Sequence, residues 1–166
     1  MNRSILLVSG STRSLGSTQR LIHQFSVLFP GEKWTISTSI VDLPMFHPGL
    51  GVPKGLSSWK EEILNHDVVF FITPEYIFNI PAVLKNALEW ITESGELMDK
   101  KVIACTYTPH EPRGEKALQS LTWSLQALSA NIVLNLSLYH NHFIWEEEKI
   151  VGGEGLEMLT YALEHI

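Results

Sequence analysis

The chain has 166 residues, of which 45% are hydrophobic and 18% charged, and its formal net charge is −6. This composition is typical of a globular protein with a buried core, so it argues against disorder and predicts one domain over residues 1–166. The acidic balance, without any basic run, argues against a nucleic-acid-binding protein.

The single cysteine and the amino-terminal residues indicate where the protein works. Cys105 lies within an apolar stretch, which predicts a small core side chain. One cysteine excludes an internal disulfide framework and indicates a reducing, cytoplasmic location. The apolar run at residues 5–8 is too short for a signal peptide or a membrane span, so we expect no membrane association.

The first half of the chain predicts two strands and two helices. Residues 5–8 are a buried strand, residues 9–18 form a loop rich in glycine, serine and threonine, and a helix with apolar residues at helical spacing follows until Pro30-Gly31. Residues 33–40 are a second strand, and a long irregular loop leads to Ser57 and Ser58, which we expect to cap the next helix.

The second half of the chain begins with residues 68–72, an uninterrupted run of strand formers. Such a run is typical of a parallel strand that is covered on both faces. Pro74 ends this strand, and Pro81 suits the first turn of an amphipathic helix. Further strands are predicted at residues 101–107 and 130–136, each followed by a helix.

The alternation of strands and helices predicts the fold. It specifies an α/β protein with a five-stranded parallel sheet and helices on both faces, a flavodoxin-like three-layer sandwich. In the strand order 2-1-3-4-5, ligands bind between the carboxyl ends of the first and third strands. We therefore expect the loops at Gly10 and Pro74 to lie side by side.

The loop at residues 9–18 has the chemistry of a phosphate site. It offers free backbone amides at a helix start, several hydroxyl groups and the guanidinium of Arg13. These groups suit a phosphate monoester, although the loop is neither a Walker loop nor a dinucleotide fingerprint. The alternative is a loop that only turns the chain.

The segment at residues 73–79 places backbone amides and carbonyls beside aromatic rings. This combination suits the polar edge of a flat heterocycle. Tyr76 and Phe78 can also form a hydrophobic plug at the sheet edge. Glu75 is then a solvated turn residue or a partner for a helix end.

These two segments resemble the NAD(P)H-dependent FMN reductase family, a flavodoxin-like group of quinone, azo-dye and chromate reductases. The resemblance is carried by Gly10-Ser11-x-Arg13 with Ser17, and by Thr73-Pro74-Glu75-Tyr76 followed by Pro81-x-x-Leu84-Lys85-Asn86-Ala87-Leu88-Glu89-Trp90. The chain departs from the family where Ile77 replaces the usual Asn, Asn79 replaces Ser, and residues 109–114 replace a glycine-rich loop.

The resemblance implies a set of FMN-binding residues. Those at the phosphate are Ser11, Arg13, Ser17 and Thr18, with the choice between Gly16 and Ser17 left open. Those at the ring edge are Pro74, Glu75, Tyr76 and Ile77. Those approaching from the fourth strand are Thr106, Tyr107 and Thr108.

The function that the resemblance implies is hydride transfer from NADPH or NADH to FMN and then to a small-molecule acceptor such as a quinone. Hydride transfer requires no acid-base side chain, and we assign no catalytic residue. A flavodoxin-like electron carrier and a flavin-free interaction scaffold are the alternatives.

Histidines and the helix ending at Trp90 complete the sequence predictions. His110 lies in a loop near the crevice, as a solvated residue or a substrate contact. His140 and His142 lack a third ligand nearby, so we predict no metal site. The helix at residues 84–91 resembles the family's subunit contact, which predicts a homodimer or homotetramer.

Overall fold

The computed structural model describes residues 3–49 and 51–166. Strands and helices alternate along most of these ranges. The strands are β1 (Ser4–Ser9), β2 (Lys33–Ile36), β3 (Val68–Thr73), β4 (Lys101–Thr108), β5 (Asn131–Tyr139), β6 (Ile144–Glu146) and β7 (Lys149–Gly152). The helices are α1 (Ser17–Leu28), α2 (Leu56–Leu64), α3 (Ala82–Glu89), α4 (Glu115–Ala127) and α5 (Glu154–Glu164), with a 3-10 turn at His140–His142.

The first five strands form one parallel sheet in the order β2-β1-β3-β4-β5, which confirms the predicted fold. Strand β1 lies between β2 and β3, so the chain changes its direction of travel across the sheet at β1. Ser9 pairs with Ile72 at the carboxyl ends of β1 and β3. The two loops that leave these ends therefore start next to each other.

Two hydrophobic layers cover the sheet. Successive side chains of a strand point to opposite faces, so β1 contributes Leu6 and Val8 to one layer and Ile5 and Leu7 to the other. Helices α2, α3 and α4 pack on the first face, while α1 and α5 pack on the second. This is the predicted three-layer arrangement.

Several predicted element boundaries were wrong. Strand β2 ends at Ile36. The N-cap of α2 is Gly55, whose φ of 93° is in the left-handed region that glycine tolerates, so Ser57 and Ser58 lie inside the helix. Pro81 is the N-cap of α3 and precedes its first turn.

The antiparallel hairpin of β6 and β7 was not predicted. Its strands span only three and four residues, too few to show an alternation of polar and apolar side chains.

Trp90 faces inward and holds the long loop after β2. Its indole nitrogen donates to the carbonyl of Pro44 at 2.7 Å, and its ring packs edge-on against Phe46. Asn86 accepts a hydrogen bond from the amide of Phe46 at 2.7 Å and donates to the Pro44 carbonyl at 3.0 Å. The chain itself therefore covers the Trp90 ring.

Cys105 is completely buried in the second layer, as predicted. Burial raises the pKa of its thiol far above the usual range, so it stays protonated. Across residues 3–49 and 51–166, no helix combines the length and apolar character needed to cross a bilayer.

Candidate functional site

A cleft of about 250 Å³ lies at the carboxyl edge of the sheet, between the loops that follow β1, β3 and β4. It is called the main cleft below. Its lining residues are Ser11, Arg13, Gly16, Ser17, Thr18, Pro74, Glu75, Tyr76, Tyr107, Thr108, Pro109 and Arg113. Of the residues predicted to bind the cofactor, only Ile77 and Thr106 lie outside this lining.

The loop between β1 and α1 is fixed by hydrogen bonds within itself. The Ser9 hydroxyl accepts from the Ser11 amide at 3.1 Å, and the Ser11 hydroxyl accepts from the Arg13 amide at 3.2 Å. The Gly16 amide donates to the Arg13 carbonyl at 3.0 Å. The loop is thus a preformed turn around the start of α1.

Helix α1 begins without a side-chain cap. Its N-cap is Gly16, and its first turn carries no acidic residue. The free amides and the positive end of the helix dipole therefore face the main cleft without an internal anion. The nearby Arg13 side chain is exposed and forms no ion pair with a carboxylate in the described residues. These groups offer the hydrogen-bond donors and the positive charge that an anion requires.

The two loops meet at a close contact between Gly10 and Thr73. The Gly10 amide donates to the Ile72 carbonyl at 2.8 Å. A Cβ atom at residue 10 would lie 2.3 Å from the Thr73 hydroxyl oxygen and 2.7 Å from its Cβ. A side chain at residue 10 would therefore collide with Thr73, so glycine is required where β1 and β3 end next to each other.

After β3 the chain makes a two-residue turn. Tyr76 and Asn79 exchange backbone hydrogen bonds of 2.9 and 3.0 Å. The two central residues, Ile77 and Phe78, have φ values of 51° and 55°. Positive φ at both positions is the requirement of a type I′ turn, which glycine and asparagine meet at the lowest cost. An isoleucine there is a strained exception.

Glu75 caps helix α4 across the main cleft. Its carboxylate accepts hydrogen bonds from the amides of Lys116 and Ala117, both at 3.1 Å. Of the alternatives from sequence, the helix-end partner is the one observed. The contact connects the loop after β3 to the start of α4. The partial positive charge of the helix amides stabilises the negative charge of the Glu75 carboxylate.

The loop after β4 adds a second guanidinium to the cleft. The Thr108 hydroxyl donates to the Arg113 carbonyl at 2.8 Å, which fixes the Arg113 backbone. The Arg113 side chain is exposed and forms no ion pair among the described residues. Arg113 was not among the residues predicted from the sequence, although its loop follows a strand that ends at the same edge as β1 and β3.

Thr106 lies beneath the surface of the cleft. Its buried hydroxyl has no hydrogen-bond partner in the described part of the chain, and a Cβ at residue 114 would approach it to 2.9 Å. His110 is exposed and lines neither this cleft nor the cavity beside it.

Tyr107 connects the main cleft to a cluster of aromatic residues. Its hydroxyl lies 2.7 Å from Nδ1 of His140, whose ring stacks on Trp145. Burial raises the pKa of Tyr107 above its usual range, so its phenol stays neutral. His142 lies 3.7 Å from a carboxylate oxygen of Glu154. Both histidines of the predicted pair thus have contacts inside this chain.

A second cavity, called the side cavity, has a volume of about 390 Å³. It shares Glu75 and Arg113 with the main cleft. Its lining residues are Glu75, Ile77, Phe78, Pro112, Arg113, Glu115 and Lys116. Ile77, which was predicted to contact the cofactor, therefore lines the side cavity and not the main cleft, where helix α1 begins.

A family model described as NADPH-dependent FMN reductase matches residues 3–143. The chain belongs to this family. Membership confirms the resemblance to the NAD(P)H-dependent FMN reductase family that the two sequence segments indicated.

Curated relatives of this FMN reductase family chain carry names from the same chemistry. It is 34% identical over 112 residues to the NADH:(hydroxy)cinnamate reductase subunit CrdA of Vibrio ruber, covering 66% of this chain and 55% of that protein. It is 32% identical over 89 residues to a quinone reductase of Pseudomonas putida, covering 52% and 48%. The chain thus spans about half the length of the curated relatives it matches.

Solved structures show the same fold. The flavoenzyme FerB, an NAD(P)H:(acceptor) oxidoreductase of Paracoccus denitrificans, superposes with a TM-score of 0.80 at 20% identity, covering 98% of this chain and 93% of that one. An azoreductase of Bacillus anthracis superposes with a TM-score of 0.61 at 15% identity, covering 99% and 96%.

The residues of the main cleft fit FMN. A phosphate requires donors and positive charge, which the uncapped start of α1, the loop hydroxyls and Arg13 supply. Gly16 keeps this loop tight, since a Cβ there would lie 3.1 Å from the Arg13 carbonyl oxygen. The one carboxylate of the lining, Glu75, is already bonded to helix amides.

Proposed function

We propose that this chain is an FMN-dependent NAD(P)H oxidoreductase that moves hydride from a nicotinamide to FMN and then to a small acceptor such as a quinone. Family membership supports the chemistry. The specific acceptor and the order of steps are the proposal.

One observation carries the proposal. The hydrogen-bond donors at the start of α1 and the backbone-rich turn after β3 line the same cleft, at the point where the sheet order reverses. FMN has a phosphate at one end and a flat heterocycle at the other. The cleft offers a matching group to each end.

The phosphate would be held by Ser11, Arg13, Ser17 and Thr18, and the ring edge by the backbone of residues 74–77. FMN, when bound, supplies the chemistry of accepting and passing on a hydride. The protein orients it and sets its electrostatics through backbone dipoles. Tyr107 lines the cleft from β4, while its neutral phenol is engaged with His140.

The names of the relatives guide the choice of acceptor and co-substrate. The Vibrio relative is named for NADH, and a relative from a Burkholderia species, 32% identical over 92 residues, is named 2-hydroxy-1,4-benzoquinone reductase. We therefore propose NADPH or NADH as the electron donor and a quinone as the acceptor of this chain.

The test is spectroscopic and kinetic. We expect the purified protein to bind FMN with a shifted flavin absorbance, and to oxidise NADPH or NADH when a quinone is present. A protein that cannot be reconstituted with FMN would refute the proposal. Bound flavin that NAD(P)H does not reduce, but a partner reductase does, would instead identify an electron carrier.

We also propose a homodimer or homotetramer in the cytoplasm. The proposed assembly rests on the family resemblance alone. Trp90 gives it no support, because the ring is covered by the same chain. The location follows from the single buried cysteine. Sedimentation velocity measures the assembly directly, and a monomer at micromolar concentration would contradict it.

A further inference from the structure

We propose that Ile77 and Phe78, here called the turn tip, form the platform for the ring of the electron acceptor, an uncharged quinone bound in the side cavity. The inference rests on the proposed function and goes beyond it by assigning contacts to the acceptor. It is carried by strain, exposure, continuity with the main cleft and charge balance.

The turn tip combines two unfavourable features. Ile77 is 97% exposed and Phe78 is 77% exposed. Both have positive φ, which large and β-branched side chains rarely adopt. Backbone strain of this kind concentrates at sites that bind ligands. Neither apolar side chain is covered by the described chain, so a ligand that covers them would account for both features.

The side cavity places the turn tip next to the cofactor. Its volume of about 390 Å³ lies within the range of small-molecule sites. Glu75 and Arg113 line both the side cavity and the main cleft. The two cavities are therefore neighbours, and hydride transfer would require the quinone ring to contact the flavin directly at this border, at about 3–3.5 Å between the reacting atoms.

The charges of the side cavity favour a neutral ligand with acceptor oxygens. Arg113 and Lys116 are balanced by Glu75 and Glu115, so the cavity has no net attraction for an anion. The apolar wall is formed by the turn tip and Pro112. A quinone has a flat apolar ring and carbonyl oxygens that accept hydrogen bonds, and Arg113 is a donor at the shared border.

A quinone that accepts a hydride gains two electrons and one proton; both of its carbonyl bonds become single bonds, its ring becomes aromatic, and the product is a hydroquinone anion. The hydride would come from FMN that the nicotinamide has reduced. Arg113, which lines both cavities, would stabilise the negative charge on the quinone oxygen. A second proton from water completes the hydroquinone.

The test uses Phe78→Asn in the full-length, FMN-loaded protein. Asparagine tolerates positive φ, so we expect a higher denaturation midpoint together with about a tenfold higher KM for a naphthoquinone, since apolar contact is lost. The dissociation constant of FMN should change less than twofold. Val27→Asn, which removes an exposed apolar side chain from α1, should leave the quinone KM unchanged.

Three results would overturn the inference. An unchanged quinone KM in Phe78→Asn would show that the tip does not touch the acceptor. A weaker FMN affinity of the same size as the KM change would make the tip part of the flavin site. A shift of the sedimentation coefficient towards a smaller species would make it a subunit contact. Failure of the wild-type protein to bind FMN is a separate result, which refutes the proposed function itself.

Discussion

Among its residues, we expect the proposed phosphate site to depend most on Arg13. Its guanidinium has no ion-pair partner in the described residues, so its charge is available to a ligand. We expect Arg13→Ala to weaken FMN binding by about 1–3 kcal/mol, the usual range for a charge-assisted hydrogen bond. Fluorescence titration of FMN measures this change.

Arg20→Ala is the matched control for the charge. Arg20 also belongs to α1, but it pairs with Glu148 at 2.8 Å and lies over the ring of Trp145. Its removal should leave FMN affinity unchanged. Equal losses in the two variants would mean that only the overall charge matters, and would remove Arg13 from the site.

Gly10 tests whether the contact between β1 and β3 is as tight as the geometry indicates. Gly10→Ala would place a methyl group against the Thr73 side chain, and overpacking of this kind costs about 1–3 kcal/mol. Urea unfolding measures the loss. Gly31→Ala, with no atom within 4 Å of the added methyl group, should be nearly neutral. A neutral Gly10→Ala would show that the ends of β1 and β3 can separate easily.

Helix α3 anchors the loop after β2 through Asn86. Removing its buried amide leaves the Phe46 amide without its partner and takes away one of the two donors to the Pro44 carbonyl, so we expect Asn86→Ala to lower the free energy of unfolding by about 1–3 kcal/mol. Amide exchange at Phe46 should also become faster, because the loop is released. Chemical denaturation and hydrogen exchange measure the two effects.

Lys85→Ala is the control on the same helix. Lys85 forms an exposed ion pair with Glu89 at 3.0 Å, and such pairs contribute about 0.2–1 kcal/mol. If Asn86→Ala costs no more than this control, or leaves the exchange of Phe46 unaltered, the loop is held by other contacts.

The elements show what a sequence can predict in this fold. The parallel sheet with helices on both faces followed from the alternation of strands and helices, because crossover connections have a fixed hand, and the order 2-1-3-4-5 fitted the number of strands. The hydrogen bond from Trp90 to the Pro44 carbonyl did not follow, since the two residues lie far apart in the sequence. The strain in the turn after β3 was also not predicted, because positive φ is signalled by asparagine or glycine and these two positions hold Ile77 and Phe78.

At the candidate site, the sequence predicted how the backbone loops are arranged but not which contacts their side chains make. The meeting of the loops at Gly10 and Pro74 followed from strand order alone. The split between main cleft and side cavity did not, since it depends on Glu75 reaching the amides of Lys116 and Ala117. The roles of Ser11, Arg13, Ser17 and Thr18 in binding FMN remain predictions, now with a shared cleft in their support.

At the scale of the whole molecule, one ion pair links the first strand to the turn before β2. The Arg3 guanidinium bonds the Glu32 carboxylate and also donates to the Ile166 carbonyl at 2.8 Å. The hydrogen bond from Arg3 holds the pKa of Glu32 below its usual value. The contact therefore contributes stability above the ordinary glutamate pKa of about 4.3, and this contribution is lost as pH falls through the lowered value.

Glu32→Gln tests this dependence. We expect the wild type to be more stable than the variant near neutral pH, and the difference to shrink as the solution is acidified below about pH 4. Urea unfolding at a series of pH values measures it. In an Arg3→Ala background, the same substitution should give a much smaller change with pH. A difference that does not vary with pH would mean that the ion pair does not set the acid stability of this region.

The complete burial of Cys105 has a consequence for a protein proposed to turn over quinones. Quinones are electrophiles, and they add to thiolates far faster than to thiols. The sole cysteine of the chain is shielded from solvent, and burial keeps its sulfur protonated. An enzyme built this way can meet its own substrate repeatedly without offering it a sulfur nucleophile to alkylate.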